Sequence, residues 1–158
     1  MTQRLRQQLI DTAVEMNTGG LNQGASGNLS VLCDDGFLIT PSGMDYAGLS
    51  VNDIVWMGFD GEVQGTRKPS SEWHVHAAIY QHQPGAGAVL HAHPVSCSTL
   101  ACLGKGIPAF HYMVAIAGGR DIRCADYATF GTTELSRNVI KALQDRKACL
   151  MAHHGLTC

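Results

Sequence analysis

Charge is scarce in this chain of 158 residues: Asp, Glu, Lys and Arg make up 15% of it, against about a quarter in ordinary soluble domains. No cluster of Lys or Arg could follow a phosphate backbone, and the formal charge is only −2, which argues against a nucleic-acid partner. Long hydrophobic runs are also missing. Gln, His, Pro or Ser interrupts every apolar stretch before it reaches the roughly 18 residues a membrane-spanning helix needs, so a membrane partner is not expected. The six cysteines are scattered and form no CxxC pair; free thiols are expected rather than disulfides or a thiolate metal site. The opening MTQRLRQQLIDTAVEMN has no apolar signal core and no small-residue cleavage site. It reads instead as an amphipathic helix, with Leu5, Leu9, Ile10, Ala13, Val14 and Met16 on one stripe. A cytoplasmic location is the expectation.

What is present is histidine. From Trp73 through Gly119 the only charged side chain is Lys105, yet six of the eight histidines fall in that window. This pattern fits an interior or deep cleft furnished with imidazoles in place of charges.

The chain carries no internal repeat, low-complexity tract or linker, and its length suits one domain. A strand over Leu29–Leu32 turns at Asp34, Asp35 and Gly36 into a partner over Phe37–Thr40, as in a hairpin. A strand around Ile54–Phe59 and a further short one follow. Ser70 or Ser71 is expected to cap a helix, SEWHVHAAIYQHQ, that stops before Pro84. GAVLHAH is a strand closed by Pro94, followed by a helix from about Ser96 to Leu103. Irregular strands over Ile107–Val114 and Ile122–Cys124, a helix capped by Thr132 or Thr133 and a last strand, KACLMAHHGLTC, complete the chain. Helices alternate with strands, but hairpin turns recur. The expectation is an α/β fold with helices against a central, mostly antiparallel or mixed sheet.

His91 and His93 lie two apart on a predicted strand. They therefore share a face about 7 Å apart along it, and bonds of roughly 2 Å from each could meet at one cation. His74 and His76 have the same spacing on a predicted helix, where residues two apart do not face each other, and are rejected as a chelating pair. His153 and His154 stand at the end of another apolar strand. Alternation allows only one of them to join, and periodicity does not say which. Glu72 is the last acidic residue before the charge-poor window, at the start of the helix preceding the HxH strand. Three imidazoles and one carboxylate suit Zn²⁺, or another divalent ion such as Mn²⁺, Fe²⁺ or Co²⁺.

Three small polar loops accompany these residues: GASGN (24–28), PSG (41–43) and SSE (70–72). Backbone N–H groups in such turns, and at a helix N-terminus, can hold an oxyanion. The first is neither a P-loop nor a dinucleotide fingerprint, since no Gly-Lys-Ser/Thr follows and no strand precedes it. Beside a metal candidate, the three suggest a small phosphorylated substrate.

The stretches GASGNLSV, ITPSGMDY, KPSSEWHVH, AVLHAHPVSCS, IPAFHYMVAIAGG, YATFGTTELS and MAHHGLTC occur in one order along the whole chain. In this the chain resembles the class II aldolase/adducin family, most of all its members that cleave L-fuculose 1-phosphate. The resemblance implies a three-layer fold and Zn²⁺ held by Glu72, His91, His93 and His154. It also implies phosphate binding by Gly27, Asn28, Ser42, Gly43, Ser70 and Ser71. Tyr112 would serve the aldehyde half of the substrate, with Phe130 lining that pocket. The implied reaction yields dihydroxyacetone phosphate and L-lactaldehyde through a metal-stabilised enediolate, with Glu72 as the acid–base. Family members are homotetramers with sites between subunits, and they continue through further C-terminal helices carrying a tyrosine. A single domain over 1–158, truncated at its C-terminus, is therefore expected. Relatives acting as 4-epimerases, dehydratases or decarboxylases, and non-catalytic adducin-like modules, are the alternatives. An aspartate stands in similar epimerases where this chain has Glu72.

Overall fold

The computed structural model describes residues 2–158. The first helix, α1 (Thr2–Thr18), buries Leu9, Ile10, Ala13 and Met16, the three- and four-residue spacing of one apolar face. It leads through the GASGN turn into β1 (Asn28–Cys33), which forms a hairpin with β2 (Gly36–Ile39). β3 (Val55–Gly58) and β4 (Val63–Gln64) extend the sheet in antiparallel fashion. Then follow α2 (Trp73–His82), β5 (Ala88–Ala92), α3 (Val95–Cys102) and β6 (Arg123–Ala125). The chain closes with α4 (Thr133–Ala142), β7 (Cys149–Met151) and β8 (Leu156–Thr157).

All eight strands form one sheet in the order β4-β3-β2-β1-β5-β8-β7-β6, and only the β6–β7 pair is parallel. The mostly antiparallel α/β architecture read from the sequence is the one found. Side-chain alternation divides the sheet's two faces. Phe37, Ile39, Val55, Met57, Val89, Cys149 and Met151 pack toward α2 and α4, while Leu29, Leu38 and Ala92 pack toward α1. Because both faces are covered, β2 is buried along its full length, as expected for a strand sandwiched between helical layers. Among the described residues, no helix is long and apolar enough to cross a membrane.

Three local expectations change. Of the strand expected over Ile107–Val114, only Ile107 makes a β-bridge, to Ile122; Tyr112–Ala117 form a 3₁₀ helix instead, ended by Gly118 in the left-handed region at φ 92°. The segment 147–158 is a hairpin rather than one strand: β7 and β8 pair antiparallel, and residues 152–155 make the turn between them. Helix α2 begins at Trp73, with Glu72 in the capping position but making no side-chain capping bond. Neither serine is the cap. Ser70 serves the helix entry through its carbonyl, which accepts from Trp73 N–H at 3.2 Å, and its Oγ, which accepts from Glu72 N–H at 3.3 Å. That arrangement leaves the Glu72 carboxylate free to turn elsewhere.

Candidate metal centre

Register places the site. Asn28 pairs with His91 across β1 and β5, and His91 pairs with Thr157 across β5 and β8. Directly opposed residues in a sheet share a face, and here it is the face that Ser30 and Ile39 share with α2. Glu72, at the entry to α2, reaches down onto that face.

The rings of His91, His93 and His154 gather there, with one ligand nitrogen of each lying within 4.8 Å of the others. His91 Nε2 is 3.1 Å from Glu72 Oε2, and His154 Nε2 is 3.3 Å from Glu72 Oε1. Other groups set the ring orientations. His91 Nδ1 donates to Leu156 O at 2.8 Å, and His93 Nδ1 lies 3.3 Å from Ser26 Oγ. Outer hydrogen bonds of this kind fix the face a metal-ligating imidazole presents. Two close approaches need glycine: a Cβ on Gly155 would sit 2.6 Å from both Ala92 O and the His93 ring, and one on Gly27 would sit 2.6 Å from His91 O.

The residues fit a cation. With Nδ1–H committed to Leu156 O, Nε2 is the His91 atom left to meet a cation, and it faces the Glu72 carboxylate. Both His91 Nε2 and Glu72 Oε1 are buried without a hydrogen-bond partner, and unpaired buried polar atoms of this kind are costly. A positive charge among these atoms satisfies both. Burial by itself would raise the Glu72 carboxyl, but His91, His154 and the Asn28 amide outweigh it and hold the group down at about 2. Burial lowers His93 to about 4 and also lowers His154. An ionised carboxylate and neutral imidazoles are the protonation states a divalent metal requires.

The turn between β7 and β8 separates the two adjacent histidines. His153 adopts φ 56° and is exposed, edge-on to Tyr127, whereas His154 turns inward toward Glu72. On α2, His74 stacks on Trp73 while His76 is completely buried.

The three polar loops also meet. Pro41 and Pro69 form a bridge, Ser42 N–H donates to Lys68 O, and Ser70 N–H donates to Thr40 O. This sets Ser42 and Gly43, both exposed, beside Ser70, which is buried, and Ser71, which is exposed. Gly131, at φ 73°, packs against Ser71 O, so Phe130 stands close to the same loop while remaining 62% exposed. Tyr112 is 79% exposed and lies against His111, outside the histidine cluster.

Sequence reasoning did not anticipate what the Asn28 side chain does. It is buried, and its amide nitrogen donates to Glu72 Oε2 at 3.0 Å. Nor was the environment of His76 anticipated; burial pushes that imidazole down to about 3. The available signal was Asn28 and Ser30, two polar residues two apart on an otherwise apolar strand.

Comparison with known proteins gives the family. Residues 7–158 match the class II aldolase and adducin N-terminal domain, and the chain belongs to that family. It is 58% identical over 96% of its length to a 5-methylthioribulose-1-phosphate/5-deoxyribulose-1-phosphate aldolase from Rhodospirillum rubrum, covering 69% of that protein. It is 52% identical over 97% of its length to the L-fuculose phosphate aldolase of Escherichia coli, covering 71%. A solved L-fuculose 1-phosphate aldolase superimposes with a TM-score of 0.95 at 42% identity, over 98% of this chain and 74% of that one.

Proposed function

We propose that this chain is a Zn²⁺-dependent aldolase that cleaves a ketose 1-phosphate between C3 and C4, with L-fuculose 1-phosphate as substrate. The observation that carries the reading is the convergence of Glu72, His91, His93 and His154 around two buried, unpartnered ligand atoms. Bound at these four residues, Zn²⁺ supplies Lewis-acid polarisation of the substrate's carbonyl oxygen.

The protein's own groups account for the remaining needs. The loops carrying Gly27, Ser42–Gly43 and Ser70–Ser71 offer N–H and hydroxyl donors to the phosphate. In cleavage, the C4 hydroxyl gives up its proton and the C3–C4 bond breaks, leaving its electron pair on C3. Glu72, an ionised carboxylate at rest, receives that proton by way of Tyr112 and delivers it to C3, which completes dihydroxyacetone phosphate, and the other fragment leaves as L-lactaldehyde. Tyr112 exchanges the proton of the aldehyde-side oxygen, and Phe130 lines that half of the pocket. Both are exposed here, as are Phe110, Met113 and Ile116. An apolar surface of this extent supports a homotetramer in which a neighbouring copy brings Tyr112 to the site.

The 58% identity to the R. rubrum protein favours a second substrate of the same chemical class, a 5-deoxy- or 5-methylthio-ribulose 1-phosphate. Cleavage at C3–C4 again gives dihydroxyacetone phosphate, with acetaldehyde or (methylthio)acetaldehyde as the other product. Purified protein should be assayed for dihydroxyacetone phosphate on each ketose 1-phosphate, before and after chelation and with Zn²⁺ restored. The proposal expects cleavage that chelation abolishes and Zn²⁺ recovers; activity surviving full demetallation overturns it.

A further inference from the structure

Behind Glu72 runs a buried chain of hydrogen bonds with one direction. An ionised carboxylate only accepts, so Asn28 must present its amide nitrogen to Glu72 Oε2, at 3.0 Å. Asn28 Oδ1 is then the atom facing His76 Nε2 at 2.5 Å, and Nε2 must carry the hydrogen. In a neutral imidazole the other nitrogen is an acceptor, so His76 Nδ1 takes the hydroxyl hydrogen of Ser30 Oγ at 2.7 Å. The Ser30 oxygen is left to accept from Tyr80 O–H, also at 2.7 Å. From Tyr80 to Glu72 every donor points toward the carboxylate. Asn28, Ser30 and His76 are 4%, 1% and 0% exposed.

We infer that His76 is a positioning residue: through Asn28 it fixes the rotation of the Glu72 carboxylate, anchoring Oε2 and leaving Oε1 as the working oxygen. The Asn28 amide has two nearly isosteric orientations, and the wrong one sets oxygen against oxygen at Oε2. The Nε2–H of His76 selects the right one. Glu72 Oε1, by contrast, has no hydrogen-bond partner. The orientation follows from the hydrogen bonds alone, while its catalytic consequence rests on the aldolase reading.

Two neutral polar substitutions separate positioning from mere core filling. His76→Gln places an amide nitrogen near the Nε2 position and can still donate to Asn28. His76→Asn reaches only the Nδ1 position, keeping Ser30 and losing Asn28. Zn²⁺ titration calorimetry on the metal-free full chain should give a 10–100-fold weaker affinity for His76→Asn, the range typical of lost ligand-orienting partners. His76→Gln should stay close to wild type, although thermal melting of the metal-free chain falls in both. Equal Zn²⁺ affinity losses in the two variants, or none in His76→Asn, overturn the inference. In an Asn28→Leu background His76→Asn should cost no further affinity; an additive loss would show that His76 acts independently of Asn28 and also overturns it. If the wild type cleaves no ketose 1-phosphate, the aldolase proposal fails, and the Zn²⁺ titrations still decide the role of His76.

Discussion

Lowering the pH from 7 to 5 should destabilise the metal-free chain partly through one residue, His76. Its side chain is 0% exposed. Burial, reinforced by His91 and opposed by Glu72, lowers it from 6.5 to about 3. A group whose folded value is depressed lends stability above its unfolded value, and that stability drains away as the pH falls toward the folded value. At pH 5 the unfolded chain has taken up this proton and the folded chain has not. At 1.36 kcal/mol per unit, the 1.5 units between 6.5 and 5 correspond to about 2 kcal/mol. Glu72 loses little over the same interval, because its value moves from 4.5 to about 2 on folding and its window opens only below about pH 5. Urea unfolding followed by circular dichroism, with chelator present, should be run at pH 7 and pH 5 on wild type and His76→Gln. Glutamine does not titrate and all other groups are common to both proteins. The wild type should therefore lose about 2 kcal/mol more than the variant between the two pH values. Equal losses would refute the reasoning, because they would mean that His76 accepts a proton in the folded state as readily as in the unfolded one.

His154→Ala should abolish tight Zn²⁺ binding in calorimetry, whereas His153→Asn should retain it, since His153 is exposed and asparagine tolerates the φ of 56° found there. Tyr112→Phe should lower kcat by about 10²–10⁴, the usual range for a lost proton-transfer group. The melting temperature of the metal-free protein should not move with it, because the side chain is 79% exposed. Leu38→Ala empties a fully buried position between the sheet and α1. It should cost about 2–5 kcal/mol in urea unfolding, with melting lower by about 2–4 °C per kcal/mol.

Periodicity made part of this molecule readable. The stripe on α1 and the alternation of Phe37, Leu38 and Ile39 are local patterns, and each side chain went to the face its spacing assigns. The HxH pair was readable for the same reason. Residues 112–114 misled because the run YMVAIA, in which they stand, carries no period that separates a strand from a short helix. The final hairpin was hidden because its turn places a histidine, not glycine, in the left-handed region, so residue type gave no sign of it. With the turn unseen, strand alternation could not choose between His153 and His154. The choice is made by turn geometry, which sends one ring outward to Tyr127 and the other inward to Glu72. Least readable were contacts joining residues 44 and 48 apart, Asn28 to Glu72 and Asn28 to His76.

Those distant contacts and the candidate ligands depend on the same strand pairing. Asn28 lies opposite His91, so the β1–β5 register sets the residue that orients the carboxylate against the first imidazole. On its other edge, β5 meets β8 at Thr157, which fixes how far the β7–β8 turn carries His154 over the same face. A slip of one residue in either pairing would move a whole set of side chains to the opposite face and separate Glu72 from its imidazoles. The buried polar residues here discourage such a slip. Shifting β1 would turn Asn28 and Ser30 toward the apolar face covered by α1 and strip His76 of both partners, leaving several buried donors and acceptors unpaired at about 1–3 kcal/mol each. Placing polar residues inside the sheet thus holds β1 and β5 in the one register that assembles the site.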